Sequence, residues 1–296
     1  GIASNHWHFE PRQFIAHFRM CGWLNPREFA QCIPRRNLHL KRTQFHNQIV
    51  ATWAQALQRA QTWTHFVNVA MRKYSIASSK LRLLHFMAQM AEECGFFRLV
   101  KEGSGEVAPY APYYGRGLIQ LTHQNNYRVY GNFRTFPSLH PFSQAPFQVL
   151  GWNPNTLIAT TNQQYNAYNC ADSAAFYWIC RDITATQTNT LVTSDNGSTL
   201  SVAINCSRAT NGNVPQQNIN GLATRLQAYT FGKYVLLDHV VTVGTEQIQF
   251  DWRRNSSREP LFDANGQPLL KPNGQQKQGY VLRTHTINVL LEAQRP

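Results

Sequence analysis

Acidic residues are scarce in this chain of 296 residues: 15 Asp and Glu stand against 28 Lys and Arg, a formal net charge of +13. Such an excess favours a polyanionic partner (nucleic acid, anionic lipid, or an acidic polymer such as a bacterial cell wall) or serves solubility alone. Dense basic stripes are also missing. No basic run is longer than Arg35-Arg36 or Arg253-Arg254, which argues against a nucleic-acid partner. No apolar segment reaches the roughly 18–20 residues that cross a bilayer, so no membrane span is expected. The opening GIASNHWHFEPRQF has no basic stretch leading into an apolar one, so no cleavable signal is expected. The start at Gly1 instead of Met suggests a processed product or an excised C-terminal piece of something larger. The six cysteines (Cys21, Cys32, Cys94, Cys170, Cys180 and Cys206) show neither CxxC nor Cys/His spacing. No zinc site and no cofactor is therefore expected. Disulfides in an oxidising compartment and free, mostly buried thiols both stay open.

What is present suits a folded protein: 43% apolar and 15% charged residues over a length that holds one large domain or two ordinary ones. The first sixty residues predict short amphipathic helices. PREFAQCI begins with Pro26, favoured in a first turn, and stops at Pro34. QIVATWAQALQRAQTW places Val50, Trp53, Ala54, Leu57 and Ala60 on one face. In SSKLRLLHFMAQMAEECG, Ser78 or Ser79 caps, Leu83, Leu84, Met87, Ala88 and Ala91 form a buried stripe, and Gly95 stops the helix. GLIQL is a short strand or a buried turn, and 131–155 an irregular excursion. NAYNCADSAAFYWICRDI and NGLATRLQAYTFGKYVLL are further helices, with Ala167, Cys170, Ala171, Ala174, Ala175 and Trp178 inward in the first and Leu222, Leu226 and Tyr229 in the second. Beyond 238 the pattern alternates and two Asn-Gly dipeptides signal hairpins. No internal repeat and no long linker is evident. The expected division is an N-terminal helical segment over 1–75, a helical body over 76–238 and a small β-rich extension over 239–296.

The chemistry concentrates between the third helix and the next loop. Glu93 ends that helix, and Glu102 follows nine residues later. Glycosidic hydrolysis needs one carboxyl to protonate the leaving oxygen and another to activate water or attack. A helix C-terminus disfavours carboxylate, a suitable place for an acid. Glu92 and Glu106 are rivals that spacing does not eliminate, and a solvated helix-end Glu is the bland alternative. Eleven residues after Glu102 begins YYGRGLIQLTHQNNY. Its glycines allow close backbone passage. In an extended segment Gln120 and Thr122 would face one side. With Tyr113, Tyr114 and Tyr127 they could wall a sugar cleft, or Leu118, Ile119 and Leu121 could simply be core.

AQMAEECGFF, Glu102 and YYGRGLIQLTHQNNY together resemble the signature region of the glycoside hydrolase family 19 chitinases and their lysozyme-like endolysin relatives. Downstream, WNPNTL with ADSAAFYW, and VAINCSRATNG with NGLATRLQAY, resemble further blocks of that family in the same order, so the likeness spans roughly residues 80–237. The resemblance implies a mainly α, lysozyme-like, two-lobed glycoside hydrolase domain with a small β-rich C-terminal appendage. It implies Glu93 as general acid, Glu102 as general base in an inverting mechanism and Thr122 as the hydroxyl that positions water. Tyr114, Gln120, Asn126, Asn205 and Arg225 fall on the substrate site, Arg225 being the basic residue near the acidic pair. Three positions depart from the family pattern: Glu92 stands for a His, Gly95-Phe96 for Gly-Gly, and Cys206-Ser207 for the Gly-Gly of an Ile-Asn-Gly-Gly segment.

Chitin and the peptidoglycan glycan share β-1,4-linked N-acetylated sugars. The basic charge suits the anionic wall. HWHFEPRQFIAHFRMCGWLNPREFAQCIPRR resembles a segment ahead of lytic domains in effectors of the type VI secretion system. The expectation is a lysozyme-type muramidase, secreted without a signal peptide and acting in the periplasm of a target bacterium. Its partners would be peptidoglycan strands, an immunity protein and a component of the secretion apparatus. A chitinase, or a non-catalytic glycan-binding module, is the alternative.

Overall fold

The computed structural model describes residues 11, 13, 22–41, 44–160, 163–180, 194–237, 244–253 and 258–290. The sequence before Gly22, which carries most of the resemblance to secreted effectors, lies almost wholly outside the described residues. So do Cys21 and residues 181–193, which include the end of the expected helix NAYNCADSAAFYWICRDI.

The fold is mainly α. Helix α1 (Pro26–Gln31) starts at a capping box: the Asn25 side chain accepts from the Arg27 and Glu28 amides, and Glu28 Oε2 accepts from Asn25 N. Helix α2 (Trp53–Lys73) repeats the device with Thr52 and Gln55. Between them the chain forms an antiparallel hairpin, β1 (Arg36–Lys41) with β2 (Gln44–Ile49), where only helix was expected. The sequence signal is Leu38-His39-Leu40, which alternates with period two.

Helix α3 (Lys80–Glu93) is capped by Ser79 and buries every residue from Leu83 to Ala91. A helix apolar on one stripe would lie on a surface; this one is enclosed on all sides. Helices α4 (Gln124–Phe133) and α5 (Phe136–Leu139) and two short 3-10 turns (148–150 and 154–157) occupy the expected irregular excursion. Helix α6 (Gln164–Cys180) packs on α2, and α7 (Leu200–Thr210) and α8 (Leu222–Leu236) pack on α3. All the inward residues expected in α3, α6 and α8 are buried. No helix among the described residues is long and apolar enough to cross a membrane. Cys32, Cys94, Cys170 and Cys206 are buried free thiols, and Cys180 is exposed.

After α8 the chain turns to strands. β3 (Thr245–Trp252) pairs antiparallel with β6 (Arg283–Leu290), and Ile248, Phe250, Trp252, Ile287 and Val289 join the same continuous core as the helices. Trp252 Nε1 donates to Ile219 O at 2.9 Å, and Lys233 of α8 pairs with Glu246 at 2.8 Å. Between these strands, β4 (Glu259–Pro260) and β5 (Gln278–Gly279) pair at the two ends of an internal repeat that the sequence pattern did not announce. PLFDANGQ (260–267) is followed directly by PLLKPNGQ (268–275). Each unit closes the same turn, Asp263 N to Gln267 O at 2.9 Å and Lys271 N to Gln275 O at 2.7 Å. Their strands and the one that follows donate in a ring: Leu261 N to Lys277 O, Lys277 N to Leu269 O, and Leu269 N to Leu261 O. A two-stranded ribbon leaves two open edges; this three-sided ring leaves fewer.

Candidate active site

Glu93 is the last residue of α3. Gly95, at φ +55°, turns the chain away, and Phe96 and Phe97 follow at φ +60° and +61°. Left-handed backbone is costly for a bulky residue. Donors from α2 hold it in place: Arg59 to Phe96 O at 3.2 Å and Trp63 Nε1 to Phe97 O at 3.1 Å. Phe96 thus occupies, under strain, the second position of the resembled Gly-Gly.

The Glu93 carboxylate accepts from Arg225 Nη2, whose guanidinium is fully buried. Arg225 Nη1 donates to Gln89 Oε1 at 2.7 Å, Gln89 Nε2 to Ser207 Oγ at 3.0 Å, and Arg225 Nε to Asn220 O at 2.8 Å. Arg225 was expected at the substrate site; it sits behind Glu93 and fixes its orientation. Ser207, one of the departures from the family pattern, closes the far end of that network. Glu92 turns the other way, onto Gly221, where a Cβ would come within 1.8 Å of its Oε1. Burial pushes the Glu92 carboxyl up, against the opposing pull of Arg225 and of the Thr224 hydroxyl.

A cleft of about 350 Å³ opens at Glu93, lined by Ile119, Gln120, Leu121, Thr122, His123 and Asn126, by Tyr177 of α6, and by Thr210, Asn211 and Gly212 at the end of α7. GLIQL is a buried turn, not an extended strand. Arg116 and Leu121 bridge across it, with Leu121 N donating to Arg116 O at 2.8 Å, and Gln120 sits at φ +50°. Gln120 and Thr122 therefore reach the cleft through the turn and not by strand alternation. Thr122 Oγ1 donates to Gln120 O at 2.7 Å, Gln120 Nε2 to Gly117 O at 3.0 Å, and Asn126 Nδ2 to Thr122 O at 2.7 Å.

The Gly-Arg-Gly segment holds this turn. A Cβ on Gly115 would meet Gln120 Oε1 at 2.7 Å and Glu102 Cβ at 3.3 Å; one on Gly117, at φ +73°, would meet Ser173 Oγ at 2.9 Å. Arg116 between them is buried. Its guanidinium lies 3.7 Å from the Tyr114 ring centroid and donates to Pro112 O, Tyr114 O, Tyr127 Oη and Asn155 Oδ1. Tyr114 and Tyr127 are consequently core, outside the cleft lining.

Glu102 is also outside the cleft lining but lies behind it, against the Gly115 that Gln120 covers. Both carboxylate oxygens are engaged: Tyr110 Oη donates to Oε1 at 2.5 Å and Gly115 N to Oε2 at 2.8 Å. Glu106, the rival, is exposed and pairs with Lys101. Asn205 lies in a separate open groove with Leu200, Ser201, Ile204, Arg208, Pro215 and Gln216. The asparagine that the end of α7 brings to the Glu93 cleft is Asn211, followed by Gly212. The signal was available: Asn211-Gly212 preserves the Asn-Gly dipeptide of the resembled Ile-Asn-Gly-Gly, whereas Asn205 precedes Cys206. Tyr110, His123 and Tyr177 had no signal of their own in the sequence.

No family model matches the chain, and no curated protein matches it. Among solved structures it is similar to chitinase C from Streptomyces griseus HUT6037, at 18% identity and a TM-score of 0.43, over 72% of this chain and 91% of that one. It is also similar to a bacterial family 19 chitinase, at 19% identity and a TM-score of 0.42, over 72% of this chain and 94% of that one.

Proposed function

We propose that the chain is a glycoside hydrolase that cuts the β-1,4-linked glycan of peptidoglycan, a lysozyme-type muramidase. The observation that carries this reading is Glu93, oriented by buried Arg225, on a cleft whose facing wall offers Gln120, Thr122 and Asn126. In this reading Glu93 protonates the glycosidic oxygen as the bond to C1 breaks. Glu102 removes a proton from a water that attacks C1 from the opposite face, so the anomeric configuration inverts. Thr122, whose proton is committed to Gln120 O, keeps oxygen lone pairs for that water. Gln120, Asn126 and Asn211 have the amides that acetamido and hydroxyl groups pair with.

The net charge of +13 favours an anionic wall over neutral chitin. Action as an antibacterial effector in a target cell's periplasm, with an immunity protein as counterpart, belongs to the same proposal. Mass spectrometry of products from purified peptidoglycan and from chitin oligomers tests it. A new N-acetylmuramic acid reducing end is expected. An N-acetylglucosamine end from chitin alone would make the protein a chitinase, and no cleavage of either would leave a glycan-binding module. Glu93→Gln should abolish turnover while keeping the native circular dichroism spectrum, although loss of the charge opposite buried Arg225 should lower its melting temperature.

A further inference from the structure

The mechanism above leaves one close contact unused. Tyr110, past Glu102 on the loop that leads to the Gly-Arg-Gly segment, places its hydroxyl 2.5 Å from Glu102 Oε1, and its ring meets His123 of the cleft wall edge-on at 5.4 Å between centroids. We infer that Tyr110 is a positioning residue for Glu102: with the Gly115 amide it fixes the plane of the carboxylate and aims it at the attacking water. This inference rests on Glu102 being the base. Two donors from opposite ends, Tyr110 Oη on Oε1 and Gly115 N on Oε2, leave the carboxylate no free rotation. Each oxygen keeps a further lone pair for a proton. The His123 contact ties the tyrosine to the same wall that carries Thr122, so base and water site share one rigid mount. The Tyr110 phenol is itself pushed up, first by the bond it makes to Glu102, then by burial and by the charge of Glu102.

The other charged groups around Glu102 are committed elsewhere. Lys101 pairs with Glu106, Arg116 donates to Pro112 O, Tyr114 O, Tyr127 Oη and Asn155 Oδ1, and Tyr127 Oη donates to Tyr114 O. Tyr110 is the side chain that donates to Glu102.

The test compares the unaltered protein, Tyr110→Phe and Glu102→Gln on solubilised peptidoglycan strands, with chitin oligomers in parallel, reading kcat, KM and melting temperature. Phe keeps the ring and its packing on His123 and removes only the hydroxyl. Tyr110→Phe is expected to keep KM and melting temperature and to lose kcat by about ten- to a hundredfold, the factor a hydrogen bond to a charged group represents. A merely structural tyrosine would lower the melting temperature without this split between kcat and KM. Glu102→Gln inactive with Tyr110→Phe unchanged in kcat overturns the inference alone. Full turnover by Glu102→Gln, or none by the unaltered protein on either glycan, overturns the reading beneath it.

Discussion

Glu92 and Glu93 are adjacent, yet the structure gives them opposite tasks. Glu93 faces the cleft; Glu92 is pressed onto Gly221, the cap of α8, and receives the Thr224 hydroxyl. The helix N-terminus favours a carboxylate there, but burial outweighs it and raises the group. A raised folded value has a definite sign. Below the ordinary value of 4.5 both folded and unfolded chains hold the proton. As pH rises the unfolded chain releases it first, so stability falls until the folded carboxyl also ionises. Glu92→Gln keeps the shape without the charge. Its melting temperature should gain on the unaltered protein as pH climbs from 4.5 towards neutrality. Parallel melting curves against pH would refute this.

The same residue shows why the sequence was only partly legible here. The family pattern marks Glu92 as a departure, but its reason, the glycine 129 positions later, is a tertiary contact. Phe96 is similar: nothing local announces that α2 donors will hold a phenylalanine at φ +60°. Glu93, Gln120, Thr122 and Asn126 were legible because a motif carried them. Tyr114 was misread because an aromatic next to a Gly-Arg-Gly segment serves equally as a sugar platform or, as here, as the seat of a buried guanidinium.

At the scale of elements, α3, α6 and α8 were legible with their buried faces, whereas α7, capped by Thr199, was not expected and Ala54 of the expected inward face of α2 is exposed; the other errors fell where pattern is short. The β1–β2 hairpin rests on a few alternating residues, and the eight-residue repeat in 260–275 is too brief to stand out beside ordinary turn signals. What joins the helices is even less visible. Asp172 of α6 is fully buried and accepts from Lys73 of α2 at 2.8 Å, Arg134 just past α4 at 2.5 Å, Tyr130 Oη of α4 at 2.9 Å and Tyr168 Oη at 2.9 Å. Burial pushes this carboxyl up, but the Lys73 hydrogen bond and the Arg134 charge outweigh it and hold it below its ordinary value. Its contribution is therefore present above the ordinary 3.8 and lost as pH falls through the lower folded value. Asp172→Ala strands two cations beside the core and should cost about 3–5 kcal/mol, the usual penalty for breaking a buried pair from one side. Chemical denaturation at neutral pH measures it. A loss below about 1 kcal/mol would mean that solvent already screens the knot.

For the whole molecule the governing quantity is the excess of 13 positive charges. It lies on both parts of the chain: Arg27, Arg72, Arg98, Arg128 and Arg208 are exposed on the helical body, and Lys271 and Lys277 on the repeat ring. A field this broad acts on a polymer and not on a bond. Under the proposed function it would gather the protein onto an anionic wall, while the cleft with Glu93 would decide what is cut. The two contributions respond differently to salt. The screening length falls from about 10 Å at 0.1 M to about 3 Å at 1 M, so distant surface charges lose their pull while the buried Arg225–Glu93 pair keeps its own. Sedimentation binding to insoluble peptidoglycan should therefore weaken steeply between those concentrations. Turnover of a short neutral oligomer should change little. Equal loss of both would place the salt sensitivity in the cleft and remove the wall-gathering role from the surface charge.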